Sequence, residues 1–197
     1  MKLLYLHGFR SSPASFKARL MAQAMRERGL AAAWSCPQLP ASPRAAVELA
    51  EAELAGHDAG QTVVIGSSLG GFYATWLAEH TGARAIVVNP VVQAMRELRH
   101  HVGQHRMYHS DEPFDFRPEY VDELAALAVS NITRPERYLL LAATGDELLD
   151  WRDMRDHYAG ARQIILEGGD HAFSAFAEWL PQVLEFAGVA PAARPSS

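Results

Sequence analysis

Apolar positions along this chain fall into two kinds of run that alternate. Residues 3–6, 31–36, 62–65, 85–88, 138–142 and 163–166 are short and mostly continuously apolar, and such runs predict strands buried on both faces, as in a parallel sheet covered by helices. Between them the spacing becomes helical. Phe16, Leu20, Met21 and Ala24 share one side of a first segment; Val47, Ala50 and Leu54 share one side of a second; Leu69, Phe72, Tyr73, Trp76 and Leu77 share one side of a third. Strand and helix alternate, which predicts an α/β fold with a compact parallel sheet of about six strands.

The interval 91–134 breaks this rhythm. It opens with a charged, His-rich stretch and continues into a helical patch through Tyr120, Leu124 and Leu127, which predicts a small helical, lid-like insertion. Beyond it, residues 151–158 suggest one helix. Phe176, Leu180, Val183 and Leu184 mark a closing helix within 172–186, which Pro181 is expected to kink or interrupt. With 197 residues and no repeats or linkers, the chain is expected to form one domain. Its Pro-, Ala- and Ser-rich tail at 190–197 is expected to fray.

Composition narrows the function. Eighteen basic residues against 23 acidic ones give a net charge of −5, which argues against nucleic acid as a partner. The one cysteine, Cys36, cannot form an intrachain disulfide and reads as a buried small hydrophobe. The amino-terminal apolar run stops at His7-Gly8-Phe9-Arg10, too early for a signal peptide, and no run reaches the ~18 apolar residues of a membrane span. A soluble, cytoplasmic protein is expected.

The chemistry centres on Gly66-Ser67-Ser68-Leu69-Gly70. A G-x-S-x-G pattern arises by chance in roughly one chain in twenty of this size, given glycine near 7%, so context must carry the reading. Here a strand-like run precedes it and a helical face follows. That is the setting of a nucleophile elbow, in which a sharp turn lifts the central serine and flanking glycines leave room for strand and helix to close. Ser68 is the candidate nucleophile. Ser67, in the x position, more naturally secures the turn; a glycine-rich turn that merely packs tightly is the plain alternative.

A serine hydroxyl needs a base within reach and a carboxylate to orient that base. Asp146 stands just past the strand at 138–142, and His171 follows two glycines after the strand at 163–166. The order Ser68, Asp146, His171 is that of α/β-hydrolase triads, and all three fall at carboxyl ends of expected parallel strands. Among nine histidines, His57 and His80 lie near helix ends and suit solvated roles. Glu147, Asp150 and Asp170 compete for the acid, with Asp150 the next choice after Asp146. For the oxyanion hole, the N–H groups of Leu69 and Phe9 are the expected donors, Gly8 letting the loop after the first strand come close.

The chain resembles the YqiA/YcfP-like esterases, a small bacterial branch of the α/β-hydrolase fold. The likeness rests on Leu4-Tyr-Leu-His-Gly-Phe9 with Ser11-Ser-Pro13, Pro37-Gln-Leu-Pro40, Gly66-Ser-Ser-Leu-Gly-Gly-Phe-Tyr-Ala-Thr-Trp-Leu77, Val87-Val-Asn-Pro90, Thr144-Gly-Asp-Glu-Leu-Leu-Asp150 and Glu167-Gly-Gly-Asp-His-Ala-Phe173. It implies a serine esterase acting on carboxylic esters or acyl thioesters, with Ser68 as nucleophile, Asp146 as acid and His171 as base. Two departures stand out. Asp170 occupies a position where the family often has Asn or Ser, which sets a negative charge beside His171 that could raise its pKa, and the segment 99–116 matches only loosely.

That segment carries His100, His101, His105 and His109. The four-residue spacings could align imidazoles on one helical face, but no further ligands complete a zinc set, and the stretch reads as a polar lid. The run from Arg10 to Arg19 could draw a phosphate to a helix amino terminus; Ser12-Pro13 as a helix start with solvated basic residues is the plainer reading. No cofactor or metal is expected. An acyl-CoA thioesterase and a noncatalytic binding module on a hydrolase fold remain alternatives.

Overall fold

The computed structural model describes residues 1–190. Its elements follow the chain as β1 (Lys2–Leu6), α1 (Phe16–Glu27), β2 (Trp34–Ser35), α2 (Pro43–Leu54), β3 (Thr62–Ser67), α3 (Leu69–Thr81), β4 (Arg84–Val88), α4 (Ala94–Leu98), β5 (Gly103–Arg106), β6 (Pro113–Phe116), α5 (Glu119–Ala126), β7 (Tyr138–Ala143), α6 (Trp151–His157), β8 (Arg162–Leu166) and α7 (Phe176–Ala187). The tail expected to fray lies, from residue 191 onward, outside the described residues.

Six strands form one parallel sheet in the order β2-β1-β3-β4-β7-β8. Successive side chains of a strand point to opposite faces, and here both faces are covered. Leu4, Leu6, Val64 and Leu140 pack against α2, α3 and α6, while Leu3, Tyr5, Val63 and Leu139 pack against α1 and α7. Every residue of β3 and β7 is buried, which is why those segments read as continuous apolar runs. Burying each leucine or valine side chain contributes about 1.5–3 kcal/mol. The strand order reverses direction between β1 and β3, and the crevice outside the carboxyl ends at such a point is where open α/β sheets bind ligands.

Three expectations change. The second strand shrinks to Trp34–Ser35, because Ala31–Ala33 form a 3-10 turn at the sheet edge, where no second neighbour demands extended backbone. The insertion is only partly helical: α4 and α5 flank an antiparallel hairpin of β5 and β6, in which Gln104 pairs with Asp115 and His105 with Phe114. His101 ends a 3-10 turn, His105 lies in β5 and His109 in the connecting turn, so the imidazoles do not share a helical face. Pro181 sits inside α7 without interrupting it, the helix running from 176 to 187. Among the described residues no helix is long and apolar enough to cross a membrane.

Candidate active site

Ser68 alone separates β3 from α3, with φ 56° and ψ −123°. Such a conformation costs a non-glycine residue of order 1–3 kcal/mol and persists only where its surroundings impose it. Here they do. The Ser68 N–H donates to Val88 O at 3.0 Å, and Ser68 O accepts from the Gly71 and Val91 N–H groups at 2.9 and 3.0 Å. The glycines are steric necessities: a Cβ on Gly66 would lie 2.1 Å from Gly70 O, and one on Gly70 would lie 2.0 Å from Leu6 O.

His171 reaches this serine from the loop after β8. Gly168 and Gly169, at φ 71° and 77°, turn the chain back over the sheet. His171 Nε2 stands 3.0 Å from Ser68 Oγ, and Nδ1 stands 3.0 and 2.9 Å from the two oxygens of Asp146. A carboxylate only accepts, so Nδ1 donates to it and Nε2 is left facing the serine hydroxyl. The Asp146 side chain has no solvent exposure and that of His171 only 17%. Asp146 Oδ1 also accepts from the Leu148 and Leu149 N–H groups, both at 2.9 Å, which fixes the carboxylate.

The competing acids are occupied elsewhere. Asp150 caps α6, accepting from the Arg152 N–H at 2.9 Å. Glu147 accepts from the His171 backbone N–H at 2.9 Å, so it secures the loop and does not touch the ring nitrogens. Asp170 accepts from the Ser174 N–H and hydroxyl at 2.9 and 2.7 Å. Those bonds hold its carboxyl below the usual carboxylate range and turn the charge expected beside His171 toward the start of α7.

The loop after β1 lies against Ser68. Gly8 lies so close to the serine that a Cβ there would stand 3.1 Å from Ser68 Cβ. Among the described residues, neither the Phe9 nor the Leu69 N–H has a hydrogen-bond partner. His7, where the amino-terminal apolar run ends, is 3% exposed. Its Nδ1 lies 3.0 Å from Gly8 O, and its Nε2 accepts from the Leu39 N–H at 3.0 Å. Burial pushes its pKa down to about 4. A neutral imidazole thus ties the loop to the segment before α2; the sequence signal was a histidine placed directly at a buried strand end.

The hairpin packs on the same loop. Phe9 meets Phe114 and Phe116 edge-on, at 5.1 and 5.2 Å between ring centroids, with His101 and His105 beside it. Arg10 Nε donates to Arg106 O at 2.7 Å, the Tyr108 N–H donates to Arg10 O at 2.8 Å, and the guanidinium lies 4.5 Å over the Tyr108 ring. Among the described residues no three His, Cys, Asp or Glu side chains gather as a metal site. Lys17, expected to be solvated, is half-buried instead: its ammonium donates to Ala172 O, and desolvation pushes its pKa down to about 8. It ties α1 to the His171 loop.

A family model described as "Uncharacterised protein family (UPF0227)" matches residues 2–188. The chain belongs to that family. It is the YqiA/YcfP-like family whose motifs the sequence carries. Solved structures place this UPF0227 member in the α/β-hydrolase fold. The mouse alpha/beta hydrolase domain-containing protein 10 superimposes with a TM-score of 0.69 at 14% identity, over 93% of this chain and 89% of its own. A structure titled for LipS and LipT, two metagenome-derived lipolytic enzymes, matches with a TM-score of 0.69 at 14% identity, over 95% and 93%. Est1E from Butyrivibrio proteoclasticus, solved with ferulic acid bound, matches with a TM-score of 0.69 at 12% identity, over 94% and 87%.

Proposed function

We propose that this UPF0227 protein is a serine hydrolase of carboxylic esters or acyl thioesters, working through Ser68, His171 and Asp146 with an acyl-enzyme intermediate. The observation that carries the reading is the 3.0 Å approach of His171 Nε2 to Ser68 Oγ, made to a serine held in a strained turn and by a ring whose other nitrogen is anchored on a buried carboxylate. Structural neighbours whose titles name lipolytic enzymes and an esterase domain agree with it.

In this reading His171 Nε2 takes the Ser68 proton as Oγ attacks the substrate carbonyl carbon. Charge develops on the carbonyl oxygen, and the Phe9 and Leu69 N–H groups receive it. Each such donor supplies about 2.7–4 kcal/mol to the transition state, provided it is free beforehand, as both amides are among the described residues. Protonated His171, stabilised by Asp146, then gives its proton to the leaving alcohol or thiol. Water repeats the sequence on the acyl-enzyme and frees Ser68. The hairpin packed on Phe9 borders the substrate entrance and serves as the lid.

Intact-mass labelling with a fluorophosphonate tests this directly. One adduct on the wild-type chain, missing from Ser68→Ala, is the expected result; a folded wild-type protein that acquires none would leave the noncatalytic binding module as the reading.

A further inference from the structure

Asn89 follows β4 and is wholly buried, with φ 40°. A buried primary amide must satisfy one acceptor and two donor hydrogens, and this one does so across three strand ends. Oδ1 accepts from the Ala143 N–H at 2.9 Å, at the end of β7. Nδ2 donates to Asp170 O at 2.9 Å and to His171 O at 3.1 Å, beyond β8. Its own N–H donates to Leu141 O at 2.8 Å.

The neighbours of Asn89 hold the serine. Val88 O accepts from the Ser68 N–H, and the Val91 N–H donates to Ser68 O, both at 3.0 Å. Ala143 in turn bears the Asp146 turn, accepting the Asp146 N–H at 3.2 Å. One short stretch of chain therefore grips the bases from which Ser68, Asp146 and His171 project.

We propose that Asn89 is a positioning residue whose carboxamide sets the His171 ring against Ser68. The inference rests on the reading of Ser68 and His171 as nucleophile and base. Gly168 is held at the base of the loop, its N–H donating to Thr144 Oγ1 at 2.8 Å and its carbonyl accepting from the Gly145 N–H at 2.7 Å; beyond it, the carbonyls of Asp170 and His171 are the handles by which Asn89 fixes the segment that carries the ring. The Glu147 bond to the His171 N–H and the Lys17 bond to Ala172 O keep the loop attached when Asn89 is altered, so loss of aim separates from loss of fold.

Two substitutions separate these effects. Asn89→Asp keeps the shape and the bond from the Ala143 N–H but sets an oxygen against two carbonyls, whereas Asn89→Gly keeps the positive φ and removes the side chain. Tyr138→Phe is the control: it loses the buried hydroxyl bond to Glu79 at the amino end of β7, away from the site. Labelling by a fluorophosphonate is followed by intact mass and expressed per folded molecule from denaturation curves. The His171 Nδ1–H proton resonance is recorded in parallel.

Both Asn89 variants are expected to label on the order of 10²-fold more slowly than wild type, with a displaced or broadened Nδ1–H resonance, while Tyr138→Phe labels at the wild-type rate. On an ester that the wild type turns over, kcat falls and KM stays. A wild-type labelling rate per folded molecule in Asn89→Asp overturns the proposal, and so does failure of both variants to fold, which makes Asn89 a folding residue only. If the wild type itself does not label, the Ser68 reading fails; an unchanged Nδ1–H resonance in Asn89→Asp then still overturns the hold of Asn89 on the ring.

Discussion

Asp146 and His171 meet through both carboxylate oxygens, 3.0 and 2.9 Å from Nδ1, in a place where the carboxylate has no solvent exposure. The Leu148 and Leu149 amides fix one of those oxygens from behind. The imidazole therefore has one orientation and one tautomer available when it faces Ser68.

Asp146→Asn should lower kcat roughly 10³- to 10⁴-fold, because an amide nitrogen facing Nδ1 forces the wrong tautomer onto Nε2. Asp150→Asn should change turnover little, since asparagine caps a helix as well as aspartate does and Asp150 caps α6. Steady-state kinetics of the two variants on one ester decide the acid; the reverse ranking would reassign it to Asp150.

Ser68→Ala should remove turnover by on the order of 10⁶-fold with a stability change within about 1 kcal/mol. Alanine inherits the same strained φ and leaves the backbone bonds of residue 68 in place. Urea denaturation alongside the kinetics checks both halves; retained turnover in purified mutant protein removes Ser68 from the mechanism.

The site glycines should divide by effect. Gly66→Ala and Gly70→Ala drive a methyl to 2.1 and 2.0 Å from backbone oxygens, so each should cost on the order of 3 kcal/mol or more. Gly8→Ala meets Ser68 Cβ at 3.1 Å and Ser67 O at 3.3 Å, a contact the loop relieves by moving a few tenths of an ångström. Its cost should appear in kcat before it appears in the denaturation midpoint. Equal loss of stability in all three variants would contradict this separation.

His7 gives the fold an acid-sensitive component. The unfolded chain takes up its proton near 6.5 and the folded protein only near 4. The unfolded state thus binds more protons between those values, and stability falls as pH falls through that window. The full contribution, about 3 kcal/mol, is present above pH 6.5 and gone below pH 4. Urea midpoints measured from pH 7.5 to 4 should show the slope, and His7→Gln should flatten it.

Much of this protein was determined by sequence alone. Continuous apolar runs can be buried only from both sides, so 62–65, 85–88 and 138–142 announced a covered parallel sheet. The elbow was legible because part of its constraint is local: a Cβ on Gly66 meets Gly70 O, whereas the need for glycine at 70 comes from Leu6 O on the neighbouring β1. The convergence of Ser68, Asp146 and His171 was legible from strand ends and chain order, since parallel strands deliver their carboxyl ends to one edge.

Tertiary structure decided what depends on partners distant in the chain. Asp146, and not Asp150, meets the imidazole because one carboxylate faces a ring 25 residues away while the other is used within its own helix turn. The His-rich stretch became a hairpin because β5 and β6 supply each other's backbone bonds and Phe9 receives their aromatic side chains. No local periodicity encodes either choice. Lys17 and Asn89 gained their places in the same way, each taking up a carbonyl of the His171 loop that exists as a neighbour only after the sheet has closed.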